Sequence, residues 1–425
     1  MSPKLIALAW ATSTLCASIA QAGTLSPMFS LSGFGTLGVV NADADNADFV
    51  GNFFQPNGAG QTRRWSADVD SKLGVQLDAR FSDKLSAVVQ VVAQHRYDNT
   101  YVPQLEWGNV KYQFTPELGV RLGRTVAGPF MQSESRLVGY SNPWVRPPME
   151  TYGMLPITNK DGIDVAYQFQ LGEATNAVQI SYGESSPKLP GGGGIKAKNF
   201  FEINNAVEYG ATSIHVGYTA FRFDFHTPGL DNLFSGFTQL GDALSMIPGQ
   251  EAAAAQAHAL VDQYQLSNTP YSVVSVGVNY DPGAGFLMAE WSHEQSGAVI
   301  SNTTAWYISG GYRIGNFTPY LTLAQVRANK PNTSGLSTTG LPALLVPDAT
   351  ALNGGLDAVI NAFMFSQKSM SAGVRWDFMR NSALKLQYDQ LRTGAGSGGR
   401  LSNLQPGFQP GEKINVFSAA VEFVF

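Results

Sequence analysis

Residues 414–425, INVFSAAVEFVF, decide the fold, and they are the last residues of the chain. Their apolar and polar side chains alternate with a period of two, which is the spacing of a half-buried β-strand. One face of this strand is smaller and more polar on average, and it carries Ser418, Ala420, Glu422 and Val424. The apolar face carries Phe417, Ala419, Val421, Phe423 and Phe425.

Two other segments repeat this alternation and place charges in the middle of a strand. In residues 369–378 the polar face includes Arg375 and Asp377, and in residues 383–391 it includes Lys385. A soluble β-sandwich exposes such residues on its surface, whereas an outer-membrane barrel directs them into its water-filled interior. The pattern therefore favours strands with one face toward lipid and the other toward water.

The same rule predicts sixteen strands along the chain. An even number is what single-chain bacterial barrels have, and several of the strands have the 9–11 residues that a tilted membrane strand needs. The predicted strands are 29–40, 71–81, 85–97, 102–114, 119–126, 161–169, 177–184, 199–209, 213–225, 271–280, 286–296, 302–314, 319–328, 368–379, 383–392 and 412–425.

The connections between these strands alternate in length, as in an outer-membrane barrel with short periplasmic turns and long external loops. Loops 226–270 and 329–367 are long enough to hide a hairpin each, which would raise the count to eighteen. Residues 251–266 and 356–365 inside them are helical by residue type, so sixteen is the predicted number. The fold class is all-β, a transmembrane antiparallel β-barrel.

The composition agrees with two-faced strands and excludes several other classes of protein. The chain has 425 residues, of which 44% are hydrophobic and only 14% charged, against about 25% charged in average soluble domains. Mean hydropathy is nevertheless close to zero, at -0.07. The net charge of -5 gives no basis for nucleic-acid binding, and the charge content is too low for a disordered acidic chain.

The N-terminus predicts export. Lys4 precedes an apolar stretch, residues 5–20, and Ala20-Gln21-Ala22 has the small residues of a cleavage site. We therefore expect residues 1–22 to be a cleaved signal peptide and residues 23–425 to be a single barrel domain in the outer membrane. Cys16, the one cysteine, lies in the signal peptide, so disulfide chemistry is not expected in the mature chain.

With this layout the sequence resembles the Gram-negative general porins, which are sixteen-stranded, trimeric, water-filled barrels. The chain ends in Phe423-Val424-Phe425, similar to the signal that the barrel-assembly machinery reads in that family. Residues 71–75, SKLGV, and 120–125, VRLGRT, are similar to its second and fifth strands. The resemblance implies a homotrimer, surrounded by lipid and lipopolysaccharide, whose third external loop, here residues 127–160, folds into the pore.

By position, the resemblance makes Lys72 and Arg124 cations of the pore constriction. The sequence departs from the family in this region, because the acidic Pro-Glu-Phe-Gly-Gly element is replaced by Gly128-Pro129-Phe130-Met131. Arg124 also shares its strand face with Leu122, which the alternation directs outward. Arg124 therefore reaches the lumen only if the strand ends or bulges near Gly123.

The predicted function is passive diffusion of ions and small hydrophilic solutes, in which charges at a constriction decide what passes. The alternative is a substrate-specific channel in which Arg136, Trp144, Arg146 and Tyr152 bind a small anionic or aromatic solute. An adhesin or receptor barrel is a further alternative. Anion and cation selectivity are left open. The candidate constriction residues are Lys72, Arg121, Arg124, Glu134, Arg136, Arg146, Glu150, Arg375 and Lys385.

Catalytic and cofactor motifs are not found in the sequence. No Ser–His motif suggests an outer-membrane hydrolase, and the five histidines lack the spacing of metal ligands. We therefore expect a protein that is not an enzyme and uses no cofactor and no metal. Phe423 and Phe425 are the expected assembly signal.

Overall fold

The computed structural model describes residues 28–297, 299–329 and 334–425. Sixteen long strands in these residues form one antiparallel barrel, and each strand pairs with its neighbours in sequence. The predicted signal peptide lies outside the described residues. The strands are β1 Phe29–Ala42, β2 Lys72–Arg80, β3 Leu85–Gln94, β4 Gln104–Gln113, β5 Leu118–Val126, β6 Asn159–Leu171, β7 Ala174–Ser185, β8 Gly194–Tyr209, β9 Thr212–His226, β10 Thr269–Tyr280, β11 Gly285–Ser296, β12 Thr303–Tyr312, β13 Phe317–Ala328, β14 Gln367–Met379, β15 Ser382–Thr393 and β16 Lys413–Val424.

The barrel closes between its first and last strands. β1 pairs with β2 on one side, from Phe29↔Ala79 to Thr36↔Lys72, and with β16 on the other. Every strand therefore has two partners, so no edge is left with unpaired backbone groups. The predicted fold class and all sixteen predicted strands are confirmed, with shifts of a few residues at their ends.

The two faces of each strand are those that the alternation predicted. On β16, Phe417 and Val421 are exposed on the outer surface, while Ser418 and Glu422 are fully buried inside. Large aliphatic side chains elsewhere on the outer surface are also strongly exposed, such as Leu37 at 67% and Leu321 at 63%. A belt of exposed apolar side chains is the expected surface of a barrel that lies in lipid.

Short turns lie at one end of the barrel and long connections at the other. The turn between β14 and β15 has two residues, Arg380 and Asn381, and Asn381 adopts a φ of +61° that asparagine tolerates well. At the long-loop end, two-residue strands Asp48–Phe49 and Ala59–Gly60 pair with each other, and Trp65–Ser66 pairs with β1. This arrangement confirms the predicted alternation.

Four helices lie in the long connections: α1 Met149–Tyr152, α2 Pro228–Ser245, α3 Glu251–Tyr264 and α4 Val346–Ala362. The two helical segments predicted from residue type coincide with α3 and overlap α4, whereas α2 was not predicted. Among the described residues no helix is both long enough and apolar enough to cross a bilayer. Buried side chains of α2, α3 and α4 form one apolar cluster with inward residues of β9–β13.

Candidate functional site

Residues 127–158, which we call the inserted segment, leave β5 and fold into the barrel before the chain returns in β6. The first part follows the wall formed by β8–β11. There Glu202 accepts a hydrogen bond from the backbone N–H of Gly128 at 2.6 Å, and Glu290 accepts one from Met131 at 2.8 Å. Tyr152, near the end of the segment, donates its hydroxyl to the same Glu290 carboxylate at 2.9 Å.

The middle of the segment follows the adjoining wall, formed by β12–β15. Trp144 is 1% exposed, and its indole N–H donates to Ser309 on β12 at 2.8 Å and Thr322 on β13 at 3.0 Å. The backbone N–H of Val145 donates to Gln387 on β15 at 3.0 Å. A buried tryptophan whose N–H is hydrogen-bonded holds the segment against this wall.

Arg146 binds the segment to the seam of the barrel. Its guanidinium forms a bidentate pair with Asp70 at 2.6 and 2.9 Å, contacts Asp389 at 3.3 Å and donates to Ser418 at 2.6 Å. Burial alone would lower the pKa of this guanidinium, but the two carboxylates raise it above its usual value. The structure thus gives Arg146 an anchoring position with all its contacts inside the protein.

Lys385 and Arg375 point inward, as the alternation predicted, but both bind the inserted segment. Lys385 is fully buried, pairs with Glu422 and donates to the carbonyl oxygens of Gly139, Asn142 and Trp144 at 2.7–2.8 Å. Arg375 donates to the Tyr140 carbonyl at 2.6 Å. These contacts place the two cations under the segment.

Glu150 is also enclosed. It belongs to α1, is 2% exposed and accepts a hydrogen bond from the amide of Gln367 on β14 at 2.8 Å. Burial raises the pKa of its carboxyl group, and the Gln367 hydrogen bond offsets part of that rise. Its side chain lies on the buried side of α1, away from the partly exposed lumenal charges.

The part of the lumen next to β2–β5 keeps charged side chains that are only partly covered. Arg121 of β5 contacts Asp164 of β6 at 3.0 Å and Glu134 of the segment at 3.6 Å. The side chains of Arg121 and Glu134 retain 23% and 20% of their exposure, whereas Asp164 retains none. We call the space between residues 133–138 of the segment and strands β2–β5 the passage.

Two lysines on the wall of the passage have no ion pair or hydrogen bond among the described residues. Lys111 lies on β4 directly opposite Arg121 in the register, and Lys72 lies near the long-loop end of β2. Sequence analysis named Lys72 but missed Lys111, although Lys111 alternates with the outward residues Val110 and Tyr112. The wall cations therefore lie at two levels along the passage.

Glu106 of β4 and Arg136 of the inserted segment interact electrostatically on the β2–β5 side of the lumen. Both line a space of about 10 Å³, which has room for about one water molecule. Arg136 donates to the carbonyl oxygens of Tyr152 and Leu155 at 3.2 Å, and burial lowers the pKa of its guanidinium. Glu106, which sequence analysis also missed, is 4% exposed.

The structure places Arg124 outside the lumen. β5 continues to Val126 in regular register with β6, so Gly123 produces no change of face. Arg124 forms a bidentate pair with Asp161 at 2.6 and 2.7 Å, on the same face as the exposed Leu122. The position expected from the resemblance is therefore wrong, because strand parity directs this side chain outward.

The two terminal phenylalanines lie on the outer surface at the short-turn end. Their rings are stacked with centroids 6.4 Å apart. Each ring covers a glycine of β1, Phe423 over Gly35 and Phe425 over Gly33, where an added Cβ would come within 2.3 Å of the ring. These contacts join the chain end to β1, while a role in assembly stays a prediction.

Known structures share this architecture. OmpF of Salmonella typhi, solved with daunomycin, aligns with a TM-score of 0.54 at 10% identity, covering 93% of this chain and 97% of that chain. The outer membrane channel DcaP of Acinetobacter baumannii gives 0.53 at 13%, covering 94% and 98%. The anion-selective porin from Comamonas acidovorans gives 0.52 at 12%, covering 93% and 99%.

The chain has the porin fold. No protein-family model matches the sequence, and no curated protein matches it. The resemblance to the general porins is thus confirmed for the sixteen-stranded barrel. Of the nine predicted constriction residues, the structure brings Lys72, Arg121, Glu134 and Arg136 to the passage, encloses Arg146, Glu150, Arg375 and Lys385 in anchoring contacts, and leaves Arg124 outside.

Proposed function

We propose that this protein is an outer-membrane porin through which ions and small hydrophilic solutes diffuse along the passage. The observation that carries the proposal is the incomplete cover over Arg121 and Glu134. Elsewhere the inserted segment makes buried contacts with the barrel wall, as at Trp144 and Arg146. Charged groups that water reaches can contact a passing solute, and Arg121 and Glu134 beside β2–β5 are such groups.

The charges along the passage support a mild preference for anions. Four cations lie along it, Lys72, Lys111, Arg121 and Arg136, with four carboxylates, those of Asp78, Glu106, Glu134 and Asp164, so the preference depends on which charges are already paired. Arg121 is already paired, so the two unpaired lysines outweigh Asp78 in their action on mobile ions. A unit charge acts on an ion 4 Å away with about 1 kcal/mol in water and about 4 kcal/mol near a protein surface.

A substrate-specific site built from Arg136, Trp144, Arg146 and Tyr152 is less well supported. Each of these side chains already uses its polar atoms to hold the inserted segment in place. A solute would have to displace buried hydrogen bonds to reach them, which costs about 1–3 kcal/mol for each group left unsatisfied. Passive diffusion is therefore the function that the contacts favour, and catalysis is not part of the proposal.

The proposed protein loses residues 1–22 on export and assembles as a homotrimer in the outer membrane. Its outer surface supports the assembly. Exposed tyrosines and tryptophans, which mark the lipid interfaces of such barrels, are frequent on β6–β15. The long-loop half of β1–β3 instead presents aliphatic residues, with Leu37, Val39, Leu73, Val75 and Val89 exposed. An aliphatic sector with few interfacial aromatic residues, of which Trp65 beside β1 is one, suits contact with another copy. Exposed aromatic residues of the other sector include Tyr182, Tyr218, Trp291, Trp306 and Tyr388.

Planar-bilayer recording of the purified full-length protein tests the proposal. A porin gives stepwise current increases that scale with salt concentration, and a salt gradient gives a reversal potential with the sign of mild anion preference. Stepwise currents that saturate in the presence of one solute would instead support a specific channel. A folded barrel that produces no steps would contradict the proposal and favour an adhesin or receptor.

A further inference from the structure

A cleft of about 380 Å³ lies between α2, α3 and the long-loop ends of β9 and β10. Small-molecule sites in proteins have volumes of about 300–1,000 Å³, so the cleft has room for a small ligand. None of its lining residues lines the passage along β2–β5. An activity of this cleft is therefore separate from ion conduction.

The floor of the cleft is apolar and well fixed. Phe225, Leu230, Phe234 and Leu266 line it, and each is at most 9% exposed. The ring of Phe225 also meets the ring of Phe363 edge to face, with centroids 5.5 Å apart. Because the floor belongs to the apolar cluster that joins the helices to the barrel, its shape is defined without a ligand.

The rim of the cleft is polar and carries one carboxylate. The side chain of Asp231 is 57% exposed, and its Oδ1 lies 3.4 Å from Nδ1 of His226. His226 also lines the rim, and neither lysine nor arginine is among the lining residues. The remaining polar lining residues are uncharged. They are Ser235, Thr238, Gln239, Gln265 and Ser267.

The charge and the floor together define the ligand. Asp231 lies in the first turn of α2, where an acidic residue stabilises the helix, so its charge alone has an ordinary explanation. The position of Asp231 in the helix does not account for the apolar floor that Phe225 and Phe234 form in the same cleft. An apolar floor binds the apolar body of a ligand, and a carboxylate at the rim attracts a cationic head.

We propose that this cleft binds small organic cations with an aromatic or branched apolar body. The apolar part of the ligand contacts Phe225, Leu230 and Phe234, and the cationic head lies toward Asp231. A lipid acyl chain or an organic anion would gain nothing from the carboxylate. The cleft thus has a stated charge preference that an experiment can measure.

Ligand-detected NMR on the full-length protein in non-ionic detergent, with empty micelles as a blank, tests the proposal. The probe is benzyltrimethylammonium, and phenylacetate is the matched anion. We expect saturable binding of the cation and none of the anion. Asp231→Asn should weaken binding about threefold to fivefold, since exposed ion pairs contribute modestly. Asp242→Asn, on the same helix but outside the cleft, should leave binding unchanged.

A second variant tests the location. Ser235→Trp places an indole in the cleft and should abolish binding of the cation, while the unboiled protein keeps the gel mobility of a folded barrel. Equal binding of phenylacetate and benzyltrimethylammonium, or undiminished binding to either Asp231→Asn or Ser235→Trp, would overturn the proposal. Conductance measured on the same preparations reports on the passage, so the two proposals fail independently.

Discussion

At the scale of single residues, the lumenal charges divide into two groups that strand alternation does not distinguish. Lys385 and Lys111 both point inward, and both are lysines in the middle of a predicted strand. Lys385 binds three backbone carbonyl oxygens of the inserted segment, whereas Lys111 has no partner among the described residues. What distinguishes them is the course of the segment through the lumen, which depends on tertiary contacts.

Lys111 and Lys72 are expected to set ion selectivity. Lys111→Gln and Lys72→Gln each remove an unpaired cation from the wall, so the reversal potential in a salt gradient should move toward cation preference. The effect on the permeability ratio should be several-fold, corresponding to about 1 kcal/mol. Lys84→Gln, in the exposed turn between β2 and β3, is the matched control and should leave the reversal potential unchanged. If ion selectivity is unchanged in both lumenal variants, these two lysines do not line the passage.

Arg146 is expected to hold the inserted segment in place. Arg146→Ala leaves Asp70 and Asp389 buried without their cation, which destabilises a protein by about 3–5 kcal/mol. Urea unfolding in detergent should show this loss, and single-channel currents should become noisier. Arg124→Ala is the control, because its pair with Asp161 lies on the exposed outer face and contributes about 0–1 kcal/mol. A loss of stability as large in Arg124→Ala would contradict the assignment of the two arginines.

At the scale of elements, the strands could be predicted from sequence because a barrel strand shows its two environments in its own alternation. Helix α2 could not, since Gly229, Gly236 and Gly241 lower its helix propensity. Its apolar residues nevertheless recur at helical spacing, at positions 230, 234, 237, 240 and 244. That periodicity is the feature of the sequence from which α2 could have been predicted.

The inserted segment was predicted as an element but not in its contacts. The sequence indicates a long third loop, and in the structure that loop contacts inward side chains of the barrel wall. Its partners, such as Glu290 for Tyr152 and Gln387 for Val145, are 138 and 242 residues away in sequence. Nothing in the local sequence of either partner specifies that pairing.

The α2–α3 hairpin is expected to be dispensable for the barrel and for conduction. Replacing residues 228–264 with a short Gly/Ser linker should preserve the sixteen strands, because each strand keeps both of its partners. The thermal midpoint should fall, since the apolar cluster loses Phe234, Phe237 and Leu244. Single-channel conductance should stay the same. A several-fold increase would show that the hairpin, and not the inserted segment, limits the current.

At the scale of the whole molecule, the barrel has an apolar outside and a divided inside. Composition predicted an interior lined by water, and the partly exposed charges of Arg121 and Glu134 beside β2–β5 agree with it. In the sector of β9–β13 the lumen is instead filled by apolar side chains, including Tyr307 and Val273, each 1% exposed, which pack with the inserted segment and the helices. Composition does not reveal this division, because the same residue types serve both sectors.

The aliphatic sector of the outer surface is expected to hold the trimer together. Leu37→Asn, on β1, should remove the high-mass band of unboiled protein on a gel while the monomer keeps the mobility of a folded barrel. Ile308→Asn, on the outer face of β12, is the control in the other sector. It should preserve the band. Loss of the band in Ile308→Asn but not in Leu37→Asn would place the trimer contact at β12 and contradict the prediction.

Current block by thiol modification reports which lumenal side chains face the passage. The one cysteine, Cys16, is in the predicted signal peptide, so an introduced cysteine is expected to be the one thiol in the mature chain. With a sulfonate-bearing methanethiosulfonate reagent, Lys111→Cys should lose current rapidly, because its side chain faces the passage. Thr322→Cys, on the inward face of β13 beneath Trp144, should be unaffected. Block at Thr322→Cys with none at Lys111→Cys would contradict the account.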